Sequence, residues 1–181
     1  MKKKLLLFLI LNLTNFVYCQ ENLFDDKYKN ETKLVISYIF RNFLQESNIN
    51  IDKTATIVEV NNCTSTYDSP MLYSNEKEYV RECIKNPKIK YWTEDFFPNC
   101  KIIESKKIDK IFKDNANGWN EFQKQYGGSI AQFSSPIFLR NYEIVIIKFS
   151  ITSDYLAGLG YEAIFIRNGD NWEISACSWD N

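Results

Sequence analysis

The residues with the most chemistry to offer are the run Tyr91-Trp92-Thr93-Glu94-Asp95-Phe96-Phe97, with Tyr67 and Tyr73 shortly before it. Flat apolar rings beside carboxylates suit a sugar ring or a hot spot on a partner protein, because each ring offers a dehydrated face next to hydrogen-bond acceptors. Tyr67, Tyr73, Tyr91, Trp92, Phe96 and Phe97 are therefore the candidate binding residues. The competing reading of the same run is ordinary core packing. Tyr142, Tyr155 and Tyr161, near strand ends, can line a pocket mouth or simply sit half-buried on strands.

Catalytic chemistry is thin by comparison. The chain has no histidine, which removes the Ser-His-Asp triad, the Cys-His pair, imidazole metal ligands and the ordinary proton shuttle near neutral pH. What remains are adjacent acids, Glu94-Asp95 and Asp25-Asp26, and neighbouring carboxylates on loops are usually solvated. Asp114-Asn115-Ala116-Asn117-Gly118 fails as a calcium loop, since aligning its glycine puts Lys113 and Lys124 at ligand positions. Gly158-Leu159-Gly160 precedes a strand rather than a helix, so it reads as a bend and not a phosphate cradle. No catalytic residue, metal or cofactor is assigned.

Five cysteines are present. Cys19 lies at the end of a leader; Cys63, Cys83, Cys100 and Cys177 form an even set, which in an exported chain reads as two disulfides. Of the three pairings, Cys63 with Cys83 and Cys100 with Cys177 is preferred, because the first closes a turn-rich loop; free buried thiols are the alternative. No Cys-x-x-Cys pair supports zinc.

The leader itself is Met1-Lys2-Lys3-Lys4 followed by Leu5 to Leu11, a basic n-region and an apolar h-region too short to span a bilayer. Residues 1–19 are read as a signal peptide cleaved before Gln20, and residues 20–181 as one domain. A lipid anchor on Cys19 is the alternative, disfavoured by the bulky Tyr18 before it. Loss of three leader lysines makes a chain of formal charge −1 more acidic, which argues against nucleic acid as a partner. The location expected is secreted or periplasmic, with no transmembrane span.

These groups must be positioned by few elements. Asn30 can cap a helix over residues 32–46 with Ile36, Ile39, Phe40 and Phe43 on one face. Thr54 to Val60 reads as a strand, Glu76 to Asn86 as a second helix stopped by Pro87, and Cys100 to Glu104 as a strand leading into an amphipathic segment with Ile108, Ile111 and Phe112. Asn117-Gly118 opens a helix bearing Trp119, Phe122 and Tyr126, ended by Gly127-Gly128. Four antiparallel strands close the chain: Ile130 to Phe138 with a bulge or edge at Pro136, Tyr142 to Ile151, Gly160 to Arg167, and Trp172 to Trp179, the last two joined by Asn168-Gly169-Asp170-Asn171. The fold class is α+β, with N-terminal helices packed on a C-terminal antiparallel meander.

The pattern Gly118-Trp119, Phe122, Tyr126-Gly127-Gly128, Phe133-Ser134, Phe138, Gly158, Gly160, Trp172-Glu173-Ile174 and Trp179 resembles the C-terminal half of a group of small exported proteins of Bacteroidota. The likeness covers about residues 100–181 and rests on the order of aromatics and glycines. Departures are Tyr126-Gly127 in place of Tyr-Pro, Ser135-Pro136 in place of Ser-Arg, and the ending Trp179-Asp180-Asn181. A helix on a curved meander is also similar to cystatin-like folds, including their NTF2-like members, and this analogy implies fold alone. The expected function is a non-catalytic envelope module that binds another protein through the 67–97 region. A glycan- or small-ligand-binding module with a cleft between sheet and helices is the alternative, and a carboxylate-based enzyme the least favoured reading.

Overall fold

The computed structural model describes residues 25–44, 48–58, 71–113 and 117–179, with side chains described as far as Ser175. The expected signal peptide, Cys19, Cys63 and Tyr67 lie outside the described residues, as does the side chain of Cys177. The chain divides into two compact units, Met1–Ser37 and Tyr38–Asn181. Residues 25–42 are helical (α1), and the division falls within that helix. Asp25 and Asp26 stand at the front of this helical run, where carboxylates favour the helix dipole, so Asn30 is interior rather than a cap.

The other elements are β1 (Ile49–Asp52), α2 (Ser74–Lys85), β2 (Lys101–Ile103), α3 (Ser105–Phe112), α4 (Gly118–Gln125), β3 (Ser129–Phe133), β4 (Ile137–Leu139), β5 (Ile144–Asp154), β6 (Ala157–Asn168) and β7 (Asn171–Trp179). They form one sheet in the order β2-β1-β3-β5-β6-β7, with β4 also on β5. The fold is α+β and its C-terminal half is the expected antiparallel meander. β3 and β4 pair with successive stretches of β5 and are parted at Ser134-Ser135-Pro136, the break anticipated at Pro136. Gly169 takes φ 60° in the two-residue turn between β6 and β7.

The early strand is a correction. It lies at Ile49–Asp52, parallel to both β2 and β3, whereas Thr54 to Val58, the described part of the strand expected over Thr54 to Val60, forms no strand. Thr54 and Thr56 make only single bridges, to Tyr91 and Ser134. β-branched composition marked Thr54 to Val60, but tertiary burial selects the short Ile-Asn-Ile-Asp segment, all four residues of which are buried.

Alternation along β5 separates two faces. Val145, Ile147, Phe149 and Ile151 point to one side, with Phe133, Tyr161 and Phe165 from neighbouring strands. Tyr38, Phe40 and Phe43 cover this face, Phe43 meeting Phe149 edge-on at 5.4 Å and Phe40 stacking on Phe133 at 6.0 Å. The opposite face carries two apolar clusters. One joins α2 through Val80, Cys83 and Ile84 to Ile137, Leu139, Ile144, Ile146 and Ile164; the other joins α3 and α4 through Ile108, Trp119 and Phe122 to Ile103 and Ile130.

A left-handed turn links β4 to β5. Arg140, Asn141 and Tyr142 have φ of 49°, 54° and 73°, a region that costs a non-glycine residue about 1–2 kcal/mol. Side-chain anchoring offsets that cost: Arg140 donates from Nε and Nη2 to the two oxygens of Glu76 at 2.8 and 2.9 Å, from Nη2 to the Met71 carbonyl at 2.9 Å, and lies over the Tyr73 ring. Glu76 in turn accepts the Tyr73 N–H at the start of α2. The Arg140 guanidinium holds the Glu76 carboxyl below its ordinary value of 4.5. A depressed folded value means the stabilisation is full above 4.5 and is lost as pH falls through the folded pKa. Arg140→Leu is therefore expected to lower Tm at neutral pH, with the gap to wild type closing in melts below about pH 4. A gap that persists undiminished to pH 3 would assign the loss to the turn and not to the ion pair.

Candidate functional site

Between the two apolar clusters, the same sheet face is polar. Asp52 of β1, Gln132 of β3, and Lys148 and Ser150 of β5 lie there by register and alternation, with Glu162 of β6 opposite Lys148. Gly160 is the partner of Ser150 and leaves its place on the face without a side chain. The result is a cleft of about 530 Å³ lined by Asp52, Thr54, Ala55, Thr56, Ile57, Ser105, Gln132, Lys148 and Ser150. That volume suits a small molecule.

Asp52 organises the cleft. Although only 7 % exposed, its carboxylate is satisfied from three elements. The Thr54 N–H donates to Oδ1 at 3.1 Å, the Ser105 hydroxyl donates to the same oxygen, and Gln132 Nε2 donates to Oδ2 at 3.0 Å. Ser105 Oγ also lies 2.6 Å from Thr54 Oγ1. Ser105 is the first residue of α3, so the buried charge stands at a helix N-terminus, where the backbone dipole favours it. On the β1 residue two before it, Asn50 donates to the carbonyls of Gly127 and Ser129 at 2.7 and 3.2 Å and so fixes the entry of β3. Glu162 is a second buried carboxylate, 6 % exposed. β1 and β6 are three ladder spacings apart, about 14 Å, whereas paired-carboxylate hydrolysis sets its acids about 5 to 10 Å apart.

The aromatic run is distributed very differently from an exposed patch. Trp92 and Phe97 are 0 % and 2 % exposed, which corrects their assignment as contact residues. Trp92 donates from Nε1 to the Phe133 carbonyl at 3.0 Å and meets Phe96 and Phe97 edge-on. Phe96 is half-buried beside it. Tyr73 and Tyr91 are exposed; Tyr73 carries Arg140, and Tyr91 is the bridge partner of Thr54 at the cleft. Glu94 and Asp95 are exposed and, with Lys53, Glu104 and the edge of Trp92, line a separate hollow of about 430 Å³. Tyr155 leans on Trp119 rather than on a pocket mouth, its hydroxyl accepting the Trp119 N–H.

Cys83 and Cys100 are free thiols, so the bridges expected at these two positions are absent. Cys83 packs with the α2 cluster and hydrogen-bonds Tyr79 one turn earlier. Burial pushes both thiols up and, with Cys83 beside it, pushes the Tyr79 hydroxyl up to about 12. Protonated thiols are poor nucleophiles and poor metal ligands at neutral pH. Among the described residues, no group of three or more His, Cys, Asp or Glu is placed to hold a metal ion, and no helix is long and apolar enough to cross a membrane.

Sequence reasoning missed Asp52, Ser105, Gln132, Lys148 and Ser150. One signal was legible: after Ile144 and Ile146, the same face of β5 turns to Lys148, Ser150 and Thr152. A strand whose apolar alternation fails on one side only is announcing a polar neighbour there. Comparison with family models, curated proteins and solved structures returns no match.

Proposed function

We propose that this protein is a non-catalytic binding module that takes a small hydrophilic ligand into the cleft between α3 and the β1-β3-β5 face. The observation that carries the reading is the convergence of Asp52, Thr54, Ser105, Gln132, Lys148 and Ser150 on one concave surface. A flat aromatic docking patch, the rival reading, loses its two central anchors to the core, since Trp92 and Phe97 are buried. Export is part of the same proposal: it is supported by the basic and apolar leader of residues 1–19, and mass measurement of the N-terminus in the native host tests it.

The cleft is tested by amide chemical-shift mapping with pooled amino acids, nucleosides, polyols, sugars, organic acids and polyamines. The expected result is that one pool moves amides of residues 52–57, 105, 132 and 148–150, and that Ser150→Tyr, which fills the cleft on a strand tolerant of aromatics, abolishes the shifts while Tm is kept. Shifts confined to other surfaces, or unaffected by Ser150→Tyr, would overturn the proposal.

A further inference from the structure

Resting on the cleft reading, we infer that the ligand is a neutral saccharide, either a free mono- or disaccharide or the terminal sugar of a longer glycan. Asp52 already accepts three protein donors and sits at the α3 N-terminus, so its charge is compensated internally and offers little to an incoming cation. Lys148 is likewise engaged within the protein, and the carboxylate opposite it on the ladder is Glu162. The lining therefore holds one charge of each sign, each with partners inside the protein.

What remains outward is hydroxyl and amide chemistry. Thr56 and Ser150 each carry a hydroxyl that both donates and accepts; the Ser105 and Thr54 hydroxyls are already bonded to Asp52 and to each other, and Gln132, having given one Nε2 proton to Asp52, keeps its second N–H and its carbonyl oxygen. Groups of this kind match a ligand whose own groups both donate and accept, which is the property of vicinal hydroxyls and not of carboxylates, phosphates or amines. A sugar ring also presents an apolar C–H face, and the cleft supplies its counterpart. Ala55 and Ile57 line one wall, Ile57 with 61 % of its surface exposed. Tyr91, 63 % exposed, is the antiparallel bridge partner of Thr54, and facing residues of such a pair project to the same side. Its ring thus projects to the same side as the lining residue Thr54, beside the cleft, where a flat aromatic face can stack on a pyranose. This also gives the exposed part of the aromatic run a role that its buried part does not have.

The test is calorimetric titration of the full chain with the methyl glycosides of glucose, galactose, mannose and N-acetylglucosamine, with lactose, cellobiose and chitobiose, and with glutamate, citrate, glucose 6-phosphate and spermidine as charged probes. The expected result is a neutral probe binding with Kd in about the micromolar to millimolar range. Affinity should change less than about twofold between 0.05 and 0.5 M NaCl, because no ion pair is screened. Tyr91→Ala should weaken binding about fivefold or more, Gln132→Leu about tenfold, and Ser150→Tyr should abolish it. Disaccharides binding more tightly than methyl glycosides would assign the site to a glycan end; equal affinities would assign it to a free sugar. Binding of charged probes alone, lost in Ser150→Tyr, overturns the saccharide inference and leaves the cleft reading standing. Absence of binding by every probe, with no cleft shifts in the amide mapping, overturns both.

Discussion

Trp92→Ala is expected to lower the unfolding free energy by about 3–5 kcal/mol, the usual cost of emptying a fully buried aromatic site. Trp92 has 0 % of its surface exposed and is packed against Phe96, Phe97 and Phe133. Its indole N–H also ties the loop after residue 90 to the Phe133 carbonyl at 3.0 Å. Trp92→Phe separates the two contributions. The carbonyl it abandons still accepts the Thr56 N–H at 2.9 Å, so no acceptor is stranded, and the loss should be only about 1–2 kcal/mol from the missing bond and partial cavity. Urea denaturation of both variants measures the difference. A Trp92→Ala loss under about 1.5 kcal/mol would mean that the site collapses on itself and that Trp92 is less central than its burial implies. The same prediction bears on function: replacing Trp92, Phe96 and Phe97 together would unfold the protein, so such a triple variant cannot report on a docking surface.

Gly128→Ala should be comparably damaging, at about 3 kcal/mol or more, or should prevent folding outright. Two costs coincide there. Gly128 has φ 66°, and an added Cβ would stand 1.9 Å from the Asn48 carbonyl oxygen and 2.8 Å from its carbon. That carbonyl cannot step aside cheaply, because it accepts the Ser129 N–H at 2.9 Å at the junction of β1 with β3. Two other glycines of positive φ serve as internal controls. Gly127 has nearly the same φ, 67°, but its Cβ would meet the Asn48 amide nitrogen at 3.1 Å, a side-chain end, and backbone only at 4.0 Å, the Gln123 carbonyl oxygen. Gly169, at φ 60°, would meet nothing within 4 Å. Alanine at either should cost about 1 kcal/mol, the backbone contribution alone. Chemical denaturation of the three variants gives the ranking, and equal losses at all three would show that backbone conformation, not the close approach of Asn48, sets the cost at Gly128.

The identities of these glycines were readable because turn chemistry is local. Gly127-Gly128 after Tyr126, and Gly169 within Asn168 to Asn171, announce positive φ from composition alone, and both occur as expected. The same holds for α2, for α4 with Trp119 and Phe122, and for the three long strands at the C-terminus, where period and length are carried by contiguous residues. Fold class followed from that order of elements.

Only the tertiary structure decided the rest, and in each case the deciding contact is distant in sequence. β1 is a strand because Ile49 to Asp52 is clamped in parallel between β2 and β3, residues roughly fifty and eighty positions away; nothing local distinguishes it from the more β-branched Thr54 to Val60. Trp92 and Tyr91 are adjacent in the chain, yet one is core and the other surface, because an extended backbone turns successive side chains to opposite sides and only the position of Phe133 says which side is inside. The candidate cleft exists for the same reason. Asp52, Ser105, Gln132 and Ser150 are unremarkable polar residues in sequence, and they become a candidate site when sheet register aligns β1, β3 and β5 on one face between two apolar clusters and the start of α3 brings Ser105 to Asp52.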